Sequence, residues 1–246
     1  MKDQSKATAH ATRSWTAAAA GLALLAAFAA GQAEETPMPT KTPQTPPDIK
    51  ALAREGNPEI INAAMDGNAE ALAAAIQKGA QVNTTNAHGQ TALMWAAGYG
   101  HTNIVQALIQ KGANLEIADK MGGTALIFAV QKAQKATTLQ LLSLGANIEA
   151  KDRFGHTALM YASMAGDVEL IASLLAKKAG LNVQDVDGMT ALMWAALRAK
   201  APAVKILLDA GADISVKSKR GLTAAEYAFH PDVAKLLPAK PKTPAK

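Results

Sequence analysis

One pentapeptide returns at constant spacing through the middle of this chain. Gly89-Gln90-Thr91-Ala92-Leu93 reappears every 33 residues, as Gly122-Gly123-Thr124-Ala125-Leu126, Gly155-His156-Thr157-Ala158-Leu159, Gly188-Met189-Thr190-Ala191-Leu192 and Gly221-Leu222-Thr223-Ala224-Ala225. A fixed period of this length specifies a solenoid, because a single unit cannot bury its apolar face alone and must stack on its neighbours. The product is an extended surface, and no catalytic site is implied.

Within one period the residues read as a pair of helices. In the unit 86–118, Thr91 is placed to N-cap a first helix over 92–99, and Gly100 breaks it. A second helix follows over about 102–111 until Gly112 supplies a left-handed stop. Ala96, Ala97, Val105, Leu108 and Ile109 fall at the three-and-four spacing of buried faces. Aromatic residues make up only 4% of the chain, so the core has to be built of alanine and leucine, which suits thin, closely packed helices. Units are expected at 53–85, 86–118, 119–151, 152–184, 185–217 and 218–238. The first lacks the Gly-x-Thr turn but keeps Ala63-Ala64, Gly67 and Gly79-Ala80. The last has lost residues around His230-Pro231 and is cut short by Pro238. Both have the atypical character of capping units, so the stack is expected to close at each end.

The ends of the chain are of another kind. Lys2, Lys6 and Arg13 precede an uncharged stretch from Trp15 to Ala30, and Gly31-Gln32-Ala33 offers small residues before Glu34. This is the pattern of a secretory signal peptide over 1–33, cleaved after Ala33; the stretch is short for a spanning anchor. Residues 34–50 mix proline with threonine and read as an extended linker, and 239–246 as a disordered Lys/Pro tail, leaving a folded domain over 51–238. The absence of cysteine fits an oxidising compartment. A periplasmic location is therefore expected, with a secreted or N-terminally anchored form as the alternative. Of the formal net charge of +5, Lys2, Lys6 and Arg13 against Asp3 supply +2, and the remaining +3 is matched by Lys240, Lys242 and Lys246. The repeat body is close to neutral, which argues against nucleic acid as a partner.

The repeated Thr-Ala-Leu-Met-Trp-Ala-Ala of 91–97 and 190–196, with Gly112-Ala113-Asn114 and Gly211-Ala212-Asp213, resembles the ankyrin repeat, whose period is 33 residues and whose core reads T-P-L-H-x-A. The resemblance covers about residues 53–237 and implies an all-α-dominated solenoid of about six helix-turn-helix units with short β-hairpin tips. It further implies a non-enzymatic module or scaffold that binds another protein in its concave groove, acting as a monomer and without a cofactor. Ala92, Ala125, Ala158 and Ala191 stand where the family has proline, and Met94, Ile127, Met160 and Met193 where it has a histidine that braces the hairpin. Those units are expected to trade a side-chain hydrogen bond for apolar packing. Lys178 occupies a glycine position, so an irregular loop is expected there.

No residue pattern calls for catalysis or metal. His88, His101, His156 and His230 are well separated, and structural or surface roles are expected of them, with a turn hydrogen bond for His101. A methionine-aromatic column, Met94-Trp95, Met160-Tyr161 and Met193-Trp194, offers an alternative function in handling oxidant or a soft metal, provided the thioethers are exposed. The leading candidate surface is the row of hairpin tips with the outer face of the first helices. There Met121, Phe154, Met164 and Leu197 are expected as exposed apolar contacts. Lys120, Lys132, Arg153, Arg198, Lys219 and Arg220 would surround them with positive charge, and His156 and Asp187 complete the set. The partner that fits this face is an acidic-surfaced protein.

Overall fold

The computed structural model describes residues 56–237. The expected signal segment, the linker and the Lys/Pro tail lie outside the described residues. Helices follow in pairs: α1 Glu59–Asp66 with α2 Ala69–Gln77, α3 Ala92–Tyr99 with α4 Thr102–Gln110, and α5 Ala125–Gln131 with α6 Lys135–Ser143. Next come α7 Ala158–Ala165 with α8 Val168–Ala176 and α9 Ala191–Leu197 with α10 Ala201–Asp209. The last unit keeps only a 3₁₀ turn, Ala225–Tyr227, and the short α11, Pro231–Ala234. First helices stack on first helices, each second helix packs across its own first helix, and one continuous apolar core runs from Ile60 to Leu237.

The repeated threonine explains where each first helix starts. Thr91, Thr124, Thr157 and Thr190 sit in extended backbone and accept from the amides of Met94, Ile127, Met160 and Met193 at 3.3–3.5 Å. One of the four orphan amides of the helix start is thereby satisfied. At Met94 the trade of hydrogen bond for packing is incomplete, because its sulfur accepts the Thr91 N–H at 3.4 Å.

Second helices end in a common left-handed turn. Gly112, Gly145 and Gly211 have φ of 86°, 93° and 89°, and the next residue donates back to Leu108, Leu141 and Leu207. Lys178 takes the same place with φ 64°, and Ala179 still donates to Leu174 at 3.1 Å. The irregular loop expected there is therefore not formed. The hydrogen bonds that close the turn outweigh a left-handed lysine, a strain of about 1–2 kcal/mol.

Between paired helices the left-handed position is glycine in some units, Gly67, Gly100 and Gly166, and alanine in others, Ala133 and Ala199. A Cβ at Gly67 would lie 2.7 Å from the His101 ring, and one at Gly166 would lie 2.8 Å from the Lys200 side chain. In α6, the buried Thr137 and Thr138 replace the apolar pairs Ile104-Val105 and Leu170-Ile171 of the neighbouring units, and their hydroxyls have no hydrogen-bond partner. Two buried hydroxyls left without partners weaken the core at this unit. No described helix is long and apolar enough to cross a membrane.

Candidate protein-binding face

The hairpins expected between units are tight turns; the only strand-like pairing among the described residues is a single bridge, Thr85 to Thr91. A side chain at the first turn position organises all of them but the last. Asp119 Oδ1 accepts from the amides of Met121 and Gly123, Asp152 Oδ1 from Phe154 and His156, and Asp185 Oδ1 from Asp187 and Met189, at 2.8–2.9 Å. Asn86 does the same for His88 and Gln90. Each of these side chains folds back on its own loop as an Asx turn, which leaves the tip residues pointing away.

Adjacent tips are joined by backbone. Lys120 N–H donates to His88 C=O, Arg153 to Met121, Val186 to Phe154 and Lys219 to Asp187, at 2.8–3.0 Å. The repeated glycine permits this approach: a Cβ at Gly122, Gly155 or Gly188 would stand 2.6–2.8 Å from the amide nitrogen of the following tip, and φ there is 73–80°. The row is thus a rigid strip with a constant backbone and variable side chains.

One joint has further ties. Nine residues after each turn acid comes an aromatic ring on the first helix. Tyr161 OH donates to Asp152 Oδ2 at 2.5 Å, and Trp194 Nε1 donates to Asp185 Oδ2 at 2.8 Å. In the unit before, Phe128 has no such donor. One further back, the turn residue is Asn86 instead of an acid, and the Trp95 Nε1–H has no hydrogen-bond partner. His156 stands between the two acids, with Nδ1 3.6 Å from Asp152 Oδ2 and Nε2 3.4 Å from Asp185 Oδ2. Those are ion-pair distances, and Nδ1 has no direct hydrogen bond. The ring packs edge-on against Tyr161 and Trp194 at 5.4 and 5.3 Å between centroids and lies 5.8 Å from Phe154. Burial alone would raise the Asp152 carboxyl, but contacts with His156 and Tyr161 outweigh it and hold that carboxyl below its ordinary value. Burial, and next the Asp152 carboxylate, push the Tyr161 phenol well above its ordinary value.

The sequence-based site divides on this geometry. Lys120, Met121, Arg153, Phe154, Asp187, Lys219 and Arg220 are exposed on the turn row, and Lys132, Leu197 and Arg198 are exposed at the ends of α5 and α9. Met121 and Phe154 leave 43% and 40% of their surface open, and the Arg153 guanidinium lies 4.7 Å over the Phe154 ring. Met164 is not the exposed contact expected; it is half-buried and packs on the core. Nor is His156 a free surface residue, since it is wedged between carboxylates. Asp152, Asp185, Tyr161 and Trp194 were not singled out with it, although the constant nine-residue interval from turn acid to aromatic was open to inspection. His101 makes the expected turn contact, with Nε2 3.2 Å from Met65 C=O.

The methionine column does not survive. Met94, Met160 and Met193 are each only 1% exposed and belong to the apolar core, so they cannot gather around an ion or meet an oxidant at the surface. Among the described residues no cluster of His, Asp or Glu is arranged to hold a metal.

A family model described as ankyrin repeats (3 copies) matches residues 60–152, 133–218 and 159–242. The chain belongs to the ankyrin-repeat family. Comparison with curated proteins finds no match. Among solved structures, this ankyrin stack is similar to a chain in the complex of the predatory endopeptidase Bd0816 from Bdellovibrio bacteriovorus with the immunity protein Bd3460. The similarity has a TM-score of 0.66 and 32% identity, and covers 74% of the present chain and 97% of that one. With the turn row it supports a protein–protein interaction module.

Proposed function

We propose that this ankyrin stack is a non-enzymatic binding protein that docks an acidic-surfaced protein on its turn row and restrains it, in the manner of an immunity protein toward an enzyme. The observation that carries the reading is the fate of the turn charges. Asp119, Asp152 and Asp185 spend Oδ1 on their own loop amides, while Lys120, Arg153, Lys219 and Arg220 face outward, and only Asp187 opposes them among the tips. A nearly neutral segment therefore displays a cationic strip with apolar Met121 and Phe154 in it, a pattern suited to steering and then anchoring an acidic partner. The likeness to a chain in an endopeptidase–immunity complex supports the restraining role. We place the mature chain, monomeric, in the periplasm after removal of 1–33.

The test begins with photo-crosslinking from position 154 in the source cells, with position 205 on a second helix as control. The captured protein is then purified and its binding kinetics measured. Phe154→Ala should speed dissociation tenfold or more, an effect of about 1–2 kcal/mol. Arg153→Glu and Arg220→Glu should slow association, less so at high salt. If these variants bind like wild type while Gln106→Glu or Lys205→Glu abolishes binding, the second-helix side carries the function. An enzyme whose turnover is unchanged at saturating ankyrin protein would reduce the role to that of a scaffold.

A further inference from the structure

We infer that His156 is a proton-operated clamp: as imidazolium it ties the turn of Asp152 to the turn of Asp185 and holds the Phe154 tip in place, and as neutral imidazole it lets that joint loosen. The inference rests on the docking role of the Phe154 tip for its biological meaning, but the clamp can be tested without a partner.

The argument starts from two carboxylates that belong to successive units. The side chains of Asp152 and Asp185 are 5% and 1% exposed, and each already serves two loop amides through Oδ1 and one aromatic donor through Oδ2. Neither is paired with a lysine or arginine. Two buried anions on one short joint repel each other unless a cation lies between them, and His156 occupies that place with one ring nitrogen toward each. The doubly protonated ring presents an N–H to both acids. A neutral ring can present only one, and its bare nitrogen then turns a lone pair on the other carboxylate.

The groups around the ring are few. Asp152 comes from its own turn and Asp185 from the next; Tyr161 on α7 and Trp194 on α9 close the sides. Tyr161 stays a neutral hydroxyl with its phenol pushed up, and it also feels the charge of Asp119. Arg153 is turned outward over Phe154. The same turn contains the joint's backbone bond, Val186 N–H to Phe154 C=O, so what happens between the acids is transmitted to the tip. No other joint has this arrangement, because the residues aligned with His156 are Gln90, Gly123, Met189 and Leu222.

Amide hydrogen exchange of the full chain, corrected for intrinsic rates, reads the joint directly. As pH is raised and the His156 ring loses its second proton, protection of the Val186 amide should fall about tenfold. The equivalent amides of Lys120 and Lys219 serve as references and should fall less than twofold. NMR should show the Val186 change following the titration of the His156 ring. His156→Gln should abolish the differential change. Asp152→Asn, which keeps the Oδ1 turn bonds and can donate to Tyr161, should shrink it and remains informative if His156→Gln fails to fold. Equal pH dependence at Val186 and Lys219 in the wild type, or an undiminished change in either folded variant, overturns the clamp. Failure of the crosslinking experiment alone would remove the docking role and leave the clamp standing.

Discussion

The joint between the Asp152 and Asp185 turns and the final turn, 218–222, have the same register but opposite mechanical character. In the former, two acids, a tyrosine, a tryptophan and a histidine interlock beneath the tips, and a Cβ at Gly155 would stand 2.8 Å from the Val186 nitrogen. In the latter, Ser218 replaces the acid and spends its hydroxyl on Tyr227 OH at 3.0 Å, and nothing lies within 4 Å of a Cβ at Gly221. Nearby, Phe229 is 77% exposed, at a place where interior units bury an alanine, valine or serine. A repeat does not by itself confer rigidity. What stacks on the next side does, and the exposed Phe154 lies at the joint with the added side-chain ties of Asp152, Asp185, Tyr161, Trp194 and His156.

The contrast is sharpest in the core. Leu141 and Val233 are both fully buried, so an aspartate at either leaves a charge without a partner. Leu141→Asp should cost more than about 4 kcal/mol and remove helix content well beyond its own unit. Val233→Asp should melt only the short end. Circular dichroism with thermal melting checks both, and equal losses from the two would break the comparison.

Glycine substitutions probe the turns alone. Gly155→Ala combines left-handed strain with a clash against backbone and should cost about 3 kcal/mol, whereas Gly221→Ala meets only the strain, about 1 kcal/mol. Urea melts of the two variants should differ accordingly. A smaller gain is expected from Lys178→Gly, about 1 kcal/mol of added stability, since the turn is already closed around a lysine with φ 64°. The same melts would show it.

The least effect is expected from acid. The native state holds the Asp152 carboxyl below its ordinary value, so its contribution to stability is present above the usual carboxylate range and is lost as pH falls through and below it. Asp152→Asn should therefore flatten part of the acid limb of a pH–stability curve. A variant at Ser218, where no acid exists, should leave that limb unchanged.

Much of this was legible in the residues. Thr91 and its counterparts named the helix starts, and Gly112 and its counterparts the stops, because capping is local chemistry. Lys178 was misjudged for the complementary reason: propensity weighs a residue alone, while the hydrogen bonds of Ala179 to Leu174 come from the helix it terminates. Met164 misled because the outer edge of a first helix is covered or open according to its neighbours in the stack. His156 looked isolated since its partners lie on either side of it in different units, and only the stacking brings Asp185 to its ring.

The bonds that link successive tips, Lys120 to His88, Arg153 to Met121, Val186 to Phe154 and Lys219 to Asp187, involve main-chain atoms only. Proline apart, they place no demand on the identity of the residues that make them. Surface and assembly are thereby written in separate alphabets: tip side chains can be exchanged while the strip that displays them is left intact.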